Sequence, residues 1–272
     1  MSISGSDRPI VMIGCGNMAG AILDRWLASG LRPDLVTVVD PGKEMVAAGV
    51  TLVKALPAAL PDNATIILGV KPQLLPDVAP LLGPLLDEGN IVISMLAGVT
   101  VATLRASLGQ AARYVRIMPN TPVALGKGVC VLFADGEGAD EACAFAADLL
   151  QPLGLVERID DEAQFNLVTA LTGCGPAFVF RYVDALASAA AALGLDDAQA
   201  LRLAIATVEG SSALAASSDD APGVLADRVA SKGGMTREGL DVMDADDRLN
   251  RLIADTLRAA QTRGVELEKL AR

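Results

Sequence analysis

The sequence predicts an α/β chain: an N-terminal Rossmann-type doubly wound sheet followed by an all-helical C-terminal domain. Three observations carry this expectation. An apolar run at 10–13 stops at Gly14-x-Gly16-x-x-Ala19 and passes straight into an amphipathic segment at 21–28. Through residue 160, short β-branched runs alternate with helical or loop segments, the texture of a mostly parallel sheet. From residue 161 the chain reads almost wholly as helix, rich in Ala and Leu. The expected division is therefore a dinucleotide-binding domain at 1–160 and a helical domain at 161–272.

The first strand, turn and helix form the unit that dinucleotide binding requires. Gly14 permits the tight turn, Gly16 lets backbone approach a pyrophosphate, and Ala19 keeps the helix close to its strand. The helix N-terminus then offers free N–H groups and partial positive charge to phosphates. A structural glycine turn without a nucleotide is the plainer alternative. Further strands are expected at 35–39, 50–53, 65–70, 91–95, 114–118, 129–133 and 155–158. Their ends carry Asp40, Lys71-Pro72, Ala97-Gly98 and Asn120-Thr121-Pro122. Ligands of such sheets bind beyond the carboxyl ends of the strands, so these termini converge on one crevice. Asp40 lies 24 residues beyond Gly16, placed to bond the ribose 2′-hydroxyl of NADH and to repel a 2′-phosphate. Lys43 is the only basic residue close by in sequence, and the choice between NADH and NADPH stays open.

In the helical half, Asp160 and Asp161 suit the cap of a long helix with Glu162 in its first turn. Gly173-Cys-Gly175-Pro176 should break that helix where backbone meets a ligand or another backbone. Residues 185–195 are apolar on every side apart from Ser188. A helix of that kind is buried on every side, and a second copy of the chain is the simplest cover. The expectation is an interlocked homodimer; a monomer with a central core helix is the alternative. Between two helical stretches, Ser231-Lys232-Gly233-Gly234-Met235-Thr236 can form an anion-binding concavity suited to a carboxylate. A capping box on Thr236 needs an acid at 239, where Gly239 stands, so its hydroxyl is left for a ligand. An ordinary interhelical turn would use the same residues.

Composition narrows the chemistry. The 272 residues are 52% hydrophobic and 20% charged, with net charge −11, no basic cluster and only 3% aromatics, which argues against nucleic acid and anionic membranes as partners. There is no histidine, so Ser-His and Cys-His nucleophiles and the commonest metal ligand are excluded. Cys15, Cys130, Cys143 and Cys174 lack CxxC spacing and read as small buried thiols, with no metal site expected. The hard chemistry therefore falls to a cofactor. No run of 18 apolar residues occurs and the first residues lack a signal core, which predicts a soluble cytoplasmic protein.

At this point the chain resembles the pyrroline-5-carboxylate reductase family over nearly its full length. The resemblance runs through Gly14-Cys-Gly-Asn-Met-Ala19, Val70-Lys-Pro72, Ala97-Gly98-Val99, Met118-Pro-Asn-Thr-Pro122, Gly173-Cys-Gly-Pro-Ala177 and Ser231 to Thr236. It implies reduction of Δ1-pyrroline-5-carboxylate to L-proline with NADPH or NADH, the last step of proline synthesis. It also implies a C-terminal dimerisation domain, an active site at the dimer interface, and dimers that assemble into larger rings. By the same resemblance Gly14, Gly16, Asn17 and Met18 hold the pyrophosphate, and Val70, Lys71, Pro72 and Ala97 line the cofactor crevice. The backbone of Gly234, Met235 and Thr236 takes the substrate carboxylate, with Val229 and Ser231 beside it, and the Thr236 hydroxyl bonds the ring nitrogen. Three residues depart from the family pattern: Lys232 for proline, Met235 for threonine and Cys174 for serine. A family lean towards NADPH opposes the lean of Asp40 towards NADH. Two other readings compete. A β-hydroxyacid dehydrogenase needs a base, and its helical lysine is missing from Gly173-Cys-Gly-Pro-Ala177. A nucleotide-sensing module without catalysis would tolerate the altered loop.

Overall fold

The computed structural model describes residues 7–270. All eight expected strands form, with ends shifted by a residue or two: β1 (Ile10–Ile13), β2 (Val36–Val39), β3 (Thr51–Val53), β4 (Thr65–Leu68), β5 (Ile91–Ser94), β6 (Arg113–Pro119), β7 (Gly128–Phe133) and β8 (Gly154–Arg158). They make one sheet in the order β3-β2-β1-β4-β5-β6-β7-β8. From β3 to β6 every pairing is parallel; β7 runs antiparallel to β6, and β8 runs parallel to β7. The order reverses between β1 and β4, the switch point at which a doubly wound sheet opens its crevice.

Away from its edge strands β3 and β8 the sheet is buried on both faces, which explains why the inner strands read as continuous apolar runs instead of alternating ones. One face packs against α1 (Asn17–Ala28) and α4 (Ala139–Leu150) through Ile22, Leu23, Trp26, Ala146 and Leu149. Trp26 satisfies its buried indole by donating Nε1–H to the Leu149 carbonyl at 2.8 Å. The other face packs against α2 (Leu75–Leu82) and α3 (Val101–Leu108) through Leu75, Ala79, Leu82, Leu104 and Leu108. Tyr114 in β6 sits in this layer and donates its hydroxyl to the Gly109 carbonyl at 2.8 Å.

The chain divides into two compact units. The first comprises residues up to Cys174 together with the chain from Ala260 onward, and the second is Gly175–Ala259. The helical texture that begins after residue 160 thus starts while the chain is still part of the first unit. Asp161 caps a short turn by accepting from Ala163 N–H at 2.9 Å, and α5 (Phe165–Val168) follows with Phe165 buried. A π-turn at Thr169–Gly173 then ends this stretch. The expected break is present, and Gly173 turns towards a side chain there: a Cβ on it would stand 3.4 Å from Met118 Sδ. Asn120, beyond the end of β6, binds the same turn by donating Nδ2–H to the Thr172 carbonyl at 3.0 Å while accepting from Val129 N–H at 2.8 Å.

The second unit contains α6 (Gly175–Ala192), α7 (Asp197–Ser217), α8 (Pro222–Arg228), α9 (Met235–Asp244) and the beginning of α10 (Arg248–Leu270). Pro176 stands at the start of α6, where its missing N–H removes no helix bond. The α6 and α7 helices pair across Gly194, whose φ of +113° suits glycine. Within this unit only Ala187, Ala200 and Ala204 are buried apolar residues. Val179, Phe180, Leu193, Leu203, Ile205 and Leu214 are exposed. Among the described residues no helix is long and apolar enough to cross a membrane.

Candidate coenzyme and substrate site

The parallel registers bring the ends of β1, β2, β4 and β5 to one edge, with Ile13 opposite both Val39 and Leu68, and Leu68 opposite Ser94. Gly14, Asp40, Val70 and Ala97 follow these strand ends, so the predicted coenzyme residues gather in the first unit. Gly14 has φ +82°, and a Cβ there would fall 2.8 Å from Val70 Cγ1 and 2.9 Å from the Val70 nitrogen. Its role is double: it turns left-handed and lets the loop after β4 lie against it. Gly69 answers from the other side, since a Cβ on it would stand 2.7 Å from the Gly14 carbonyl oxygen and 2.9 Å from Ala19 Cβ. Ala19 does hold helix and strand close, as its small size predicts.

Gly16 behaves differently. It is the N-cap of α1 in extended conformation, and a Cβ on it would meet nothing within 4 Å. The space in front of the helix is open, no side chain caps the first turn, and no acidic residue stands in it. Asn17 and Met18 open the helix there, and their free N–H groups with the helix dipole make an anion site of the right kind for a pyrophosphate. The residues present fit a dinucleotide.

Asp40 closes the crevice at the end of β2. Its Oδ2 accepts from Cys15 N–H at 2.8 Å and its Oδ1 from Gly42 N–H at 2.9 Å. The carboxylate therefore stitches the glycine turn to β2, and its remaining lone pairs are free to accept from a hydroxyl. Lys43 does not pair with it; its ammonium donates to the Cys15 carbonyl at 3.1 Å. Lys54 reaches the Lys43 carbonyl and lies 3.5 Å from Glu44 Oε1. Burial pushes the Cys15 thiol above its ordinary range against the opposing pull of Lys43, so this cysteine stays a neutral packing residue in the turn.

Val229, Ser231 and Gly234 lie in the second unit, in the loop between α8 and α9, and Met235 and Thr236 open α9. Gly233 has φ +71°, and the Gly234 N–H bonds the Ser231 carbonyl at 2.9 Å to close the turn. A Cβ on Gly234 would stand 2.5 Å from Ser231 Oγ, so only glycine leaves that hydroxyl its place. Gly234 is the N-cap of α9 and brings no side-chain cap. The N–H groups of Met235 and Thr236 belong to an uncapped first turn, whose free donors and helix dipole can accept an anion. Thr236 is exposed and its hydroxyl has no partner among the described residues, while the Met235 side chain is 93% exposed. Arg237, next in the helix, is already committed to Asp227 at 2.7 Å.

Residues that motif reading passed over complete the first unit. Arg116, buried in β6, pairs with the partly buried Glu162 at 3.0 Å and Glu268 at 3.2 Å. The signal available in sequence was a lone arginine inside the apolar strand Tyr114-Val-Arg-Ile-Met118, which has to find buried partners.

Comparison with known proteins agrees with this fold. The family model for pyrroline-5-carboxylate reductase dimerisation matches residues 162–267, and the model described as NADP oxidoreductase, coenzyme F420-dependent, matches residues 9–98. A pyrroline-5-carboxylate reductase of Pseudomonas aeruginosa is 36% identical over 263 residues, covering 95% of this chain and 96% of the relative. The solved structure of a pyrroline-5-carboxylate reductase from Coxiella burnetii superposes with a TM-score of 0.85 at 31% identity, covering 96% of this chain and 99% of the other. A Plasmodium falciparum pyrroline carboxylate reductase with NADP bound shares the fold, with a TM-score of 0.80 at 22% identity and coverage of 96% and 98%. With two strand-end glycine turns, an uncapped helix start after Gly234 and relatives of this extent, the chain belongs to the pyrroline-5-carboxylate reductase family.

Proposed function

We propose that this chain reduces Δ1-pyrroline-5-carboxylate to L-proline with NAD(P)H, as a cytoplasmic homodimer closing proline biosynthesis. The observation that carries the reading is a pair of uncapped, glycine-built helix starts, at Gly16 and Gly234, in a chain that aligns over 95% of its length with a reductase of this name. One receives a pyrophosphate and the other a carboxylate. When bound, the reduced coenzyme supplies the hydride for the C=N bond of the substrate.

The chain's own residues bind, orient and hold a proton. The N–H groups of Asn17 and Met18 hold the pyrophosphate, with Val70, Lys71, Pro72 and Ala97 along the crevice. The backbone of Gly234, Met235 and Thr236 takes the substrate carboxylate, Val229 and Ser231 flank it, and the Thr236 hydroxyl bonds the ring nitrogen. A cyclic imine can arrive protonated, so no strong side-chain acid is required, consistent with a chain that has no histidine. Holding two reacting carbons in line can supply about 7–11 kcal/mol at best, which makes orientation the main service of the protein. We read Asp40 as favouring NADH over NADPH, because its carboxylate is fixed at the end of β2 by two N–H groups and the nearest ammonium is turned to the Cys15 carbonyl.

The test is coenzyme oxidation, followed by loss of reduced-nicotinamide absorbance, with and without pyrroline-5-carboxylate. Oxidation that depends on the imine and yields proline is expected. Coenzyme binding without such oxidation would instead favour the nucleotide-sensing module. In the same assay Thr236→Ala should lower turnover roughly tenfold to a hundredfold, the loss of a hydrogen bond to a charged group. Wild-type turnover with unchanged substrate affinity would remove Thr236 from the mechanism.

A further inference from the structure

Arg116 lies in β6 opposite Ser94 of β5 and is 1% exposed. A guanidinium without water needs opposite charges and donors' partners on every side it can reach. Its Nη1 donates to Glu162 Oε1 at 3.0 Å and to Glu268 Oε1 at 3.2 Å, and the group lies over the Phe165 ring, 3.9 Å from the centroid. Each carboxylate then holds a second segment. Glu162 Oε1 accepts from Val101 N–H at 3.0 Å, the first residue of α3. Glu268 Oε2 accepts from Asn166 Nδ2–H at 3.1 Å. One cation thus ties together the start of α3, the segment 162–166 and the end of α10.

The end of α10 is also seated on the loop that follows β5. Gly98 has φ +73°, and a Cβ there would stand 3.1 Å from the Leu267 carbonyl carbon and 3.2 Å from the Glu268 nitrogen. A Cβ on Gly264 would stand 2.9 Å from Asn166 Oδ1, so a second glycine is needed for the helix to settle. Leu267 lines one open groove with Pro72 and Ala97, two of the residues proposed to line the coenzyme crevice. The Gly264 contact and the Arg116 ion pairs seat the end of α10 on Asn166 and β6, and the close backbone approach at Gly98 sets that end against the loop.

We propose that residues 264–268 of α10 are a positioning element for the coenzyme loop Ala97–Val99, held in place by Arg116 through Glu268. The inference rests on the coenzyme role of Ala97 proposed above. Arg116 and Glu268 act through the loop and touch neither coenzyme nor substrate. With Glu268 in place the loop is already ordered when coenzyme arrives. Without it, binding has to order the loop and loses affinity accordingly.

The probe is the Glu268→Ala variant of the full chain, with Glu268→Gln as its conservative partner. Removing Arg116 would leave two carboxylates facing each other, so the variants are made at Glu268. Dissociation constants for NADH and NADPH are measured by fluorescence titration without substrate, and deuterium uptake is followed in the peptide covering 96–101. Glu268→Ala should weaken coenzyme binding about tenfold, within the usual range of coupling between distant sites, and should speed exchange at 97–101. The coenzyme KM should rise in parallel while kcat changes far less, and Glu268→Gln, which keeps an acceptor, should recover most of the affinity. If Glu268→Ala does not fold, the same shift in smaller measure is expected of Glu268→Gln. Wild-type dissociation constants and unchanged exchange in the folded variant, even with a lowered melting temperature, would reduce the cluster to a stabilising one and overturn the proposal. A wild-type chain that binds neither coenzyme would sink the coenzyme reading as well, and so separates the two failures.

Discussion

At the scale of the residue, charge and hydrogen bonding decide what each side chain can do. Asp40 has both carboxylate oxygens fixed by backbone N–H groups, so it is a rigid negative charge at the end of β2, where we propose that a ribose 2′-substituent is read. Replacing it by serine removes that charge and leaves a donor. Asp40→Ser should therefore shift the ratio of kcat/KM for NADH over that for NADPH by about tenfold in favour of NADPH, roughly one buried charge contact. Steady-state kinetics with both coenzymes measure it, and an unchanged ratio would remove Asp40 from coenzyme choice. Asp40 was legible in the sequence because its distance from the glycine turn is diagnostic. Its bond to Cys15 N–H was not, since that depends on how β2 sits beside β1. Glu268 was invisible for the same reason: it lies 152 positions from the arginine it pairs with.

At the scale of the element, glycine sets how closely parts approach. The glycine turn of β1 and the loop after β4 are in mutual contact at Gly14 and Gly69. Gly69→Ala would push a methyl group to within 2.7 Å of the Gly14 carbonyl oxygen and 2.9 Å of Ala19 Cβ, and neither backbone nor helix can retreat cheaply. The cost should be about 1–3 kcal/mol of stability, as for other overpacked sites, read as a lowered denaturation midpoint, with weaker coenzyme binding because the turn itself moves. A fully stable variant with native affinity would contradict the packing described. The inner strands were legible because both faces of the sheet are covered there, which makes β-branched runs continuous and easy to read, whereas the edge strands β3 and β8 are partly exposed and show only short apolar runs. The reversal of β7 was not, because strand direction is set by the connection through residues 120–127 and leaves no mark on composition. The proline of Gly173-Cys-Gly-Pro announced a helix break, whereas its form as a π-turn packed on Met118 depends on tertiary contact.

At the scale of the whole molecule, burial shapes the response to pH. The Cys130 thiol in β7 is pushed from its ordinary 9.0 up to about 12, and the Tyr114 hydroxyl from 10.0 up to about 12, in both cases chiefly by burial. Each group binds its proton more tightly folded than unfolded, so its contribution to stability is complete below the unfolded value and is lost as pH rises towards the folded one. The melting temperature should fall steeply between pH 9.0 and about 12, and Cys130→Ala should flatten that fall while lowering stability at neutral pH. A flat profile through this window would contradict it. The same accounting of buried and exposed surface bears on assembly. In Gly175–Ala259 the buried apolar residues are three alanines, while leucines of α7 such as Leu203 and Leu214 stand in the open. Residues 203 and 214 are eleven apart, three helical turns, so they lie on one stripe of α7. An apolar surface of this extent is stable in water only when covered, and the match of residues 162–267 to a dimerisation family points to a second copy of the chain. Light scattering at micromolar concentration should return twice 27.9 kDa for the wild type. The double variant Leu203→Glu with Leu214→Glu should shift the mass towards the monomer or precipitate, because each glutamate would place an unpaired charge in a desolvated interface. Since the loop at Val229–Thr236 belongs to this same unit, reductase activity should fall with the dimer. A wild-type chain that is both monomeric and fully active would mean that the exposed leucines serve some other purpose.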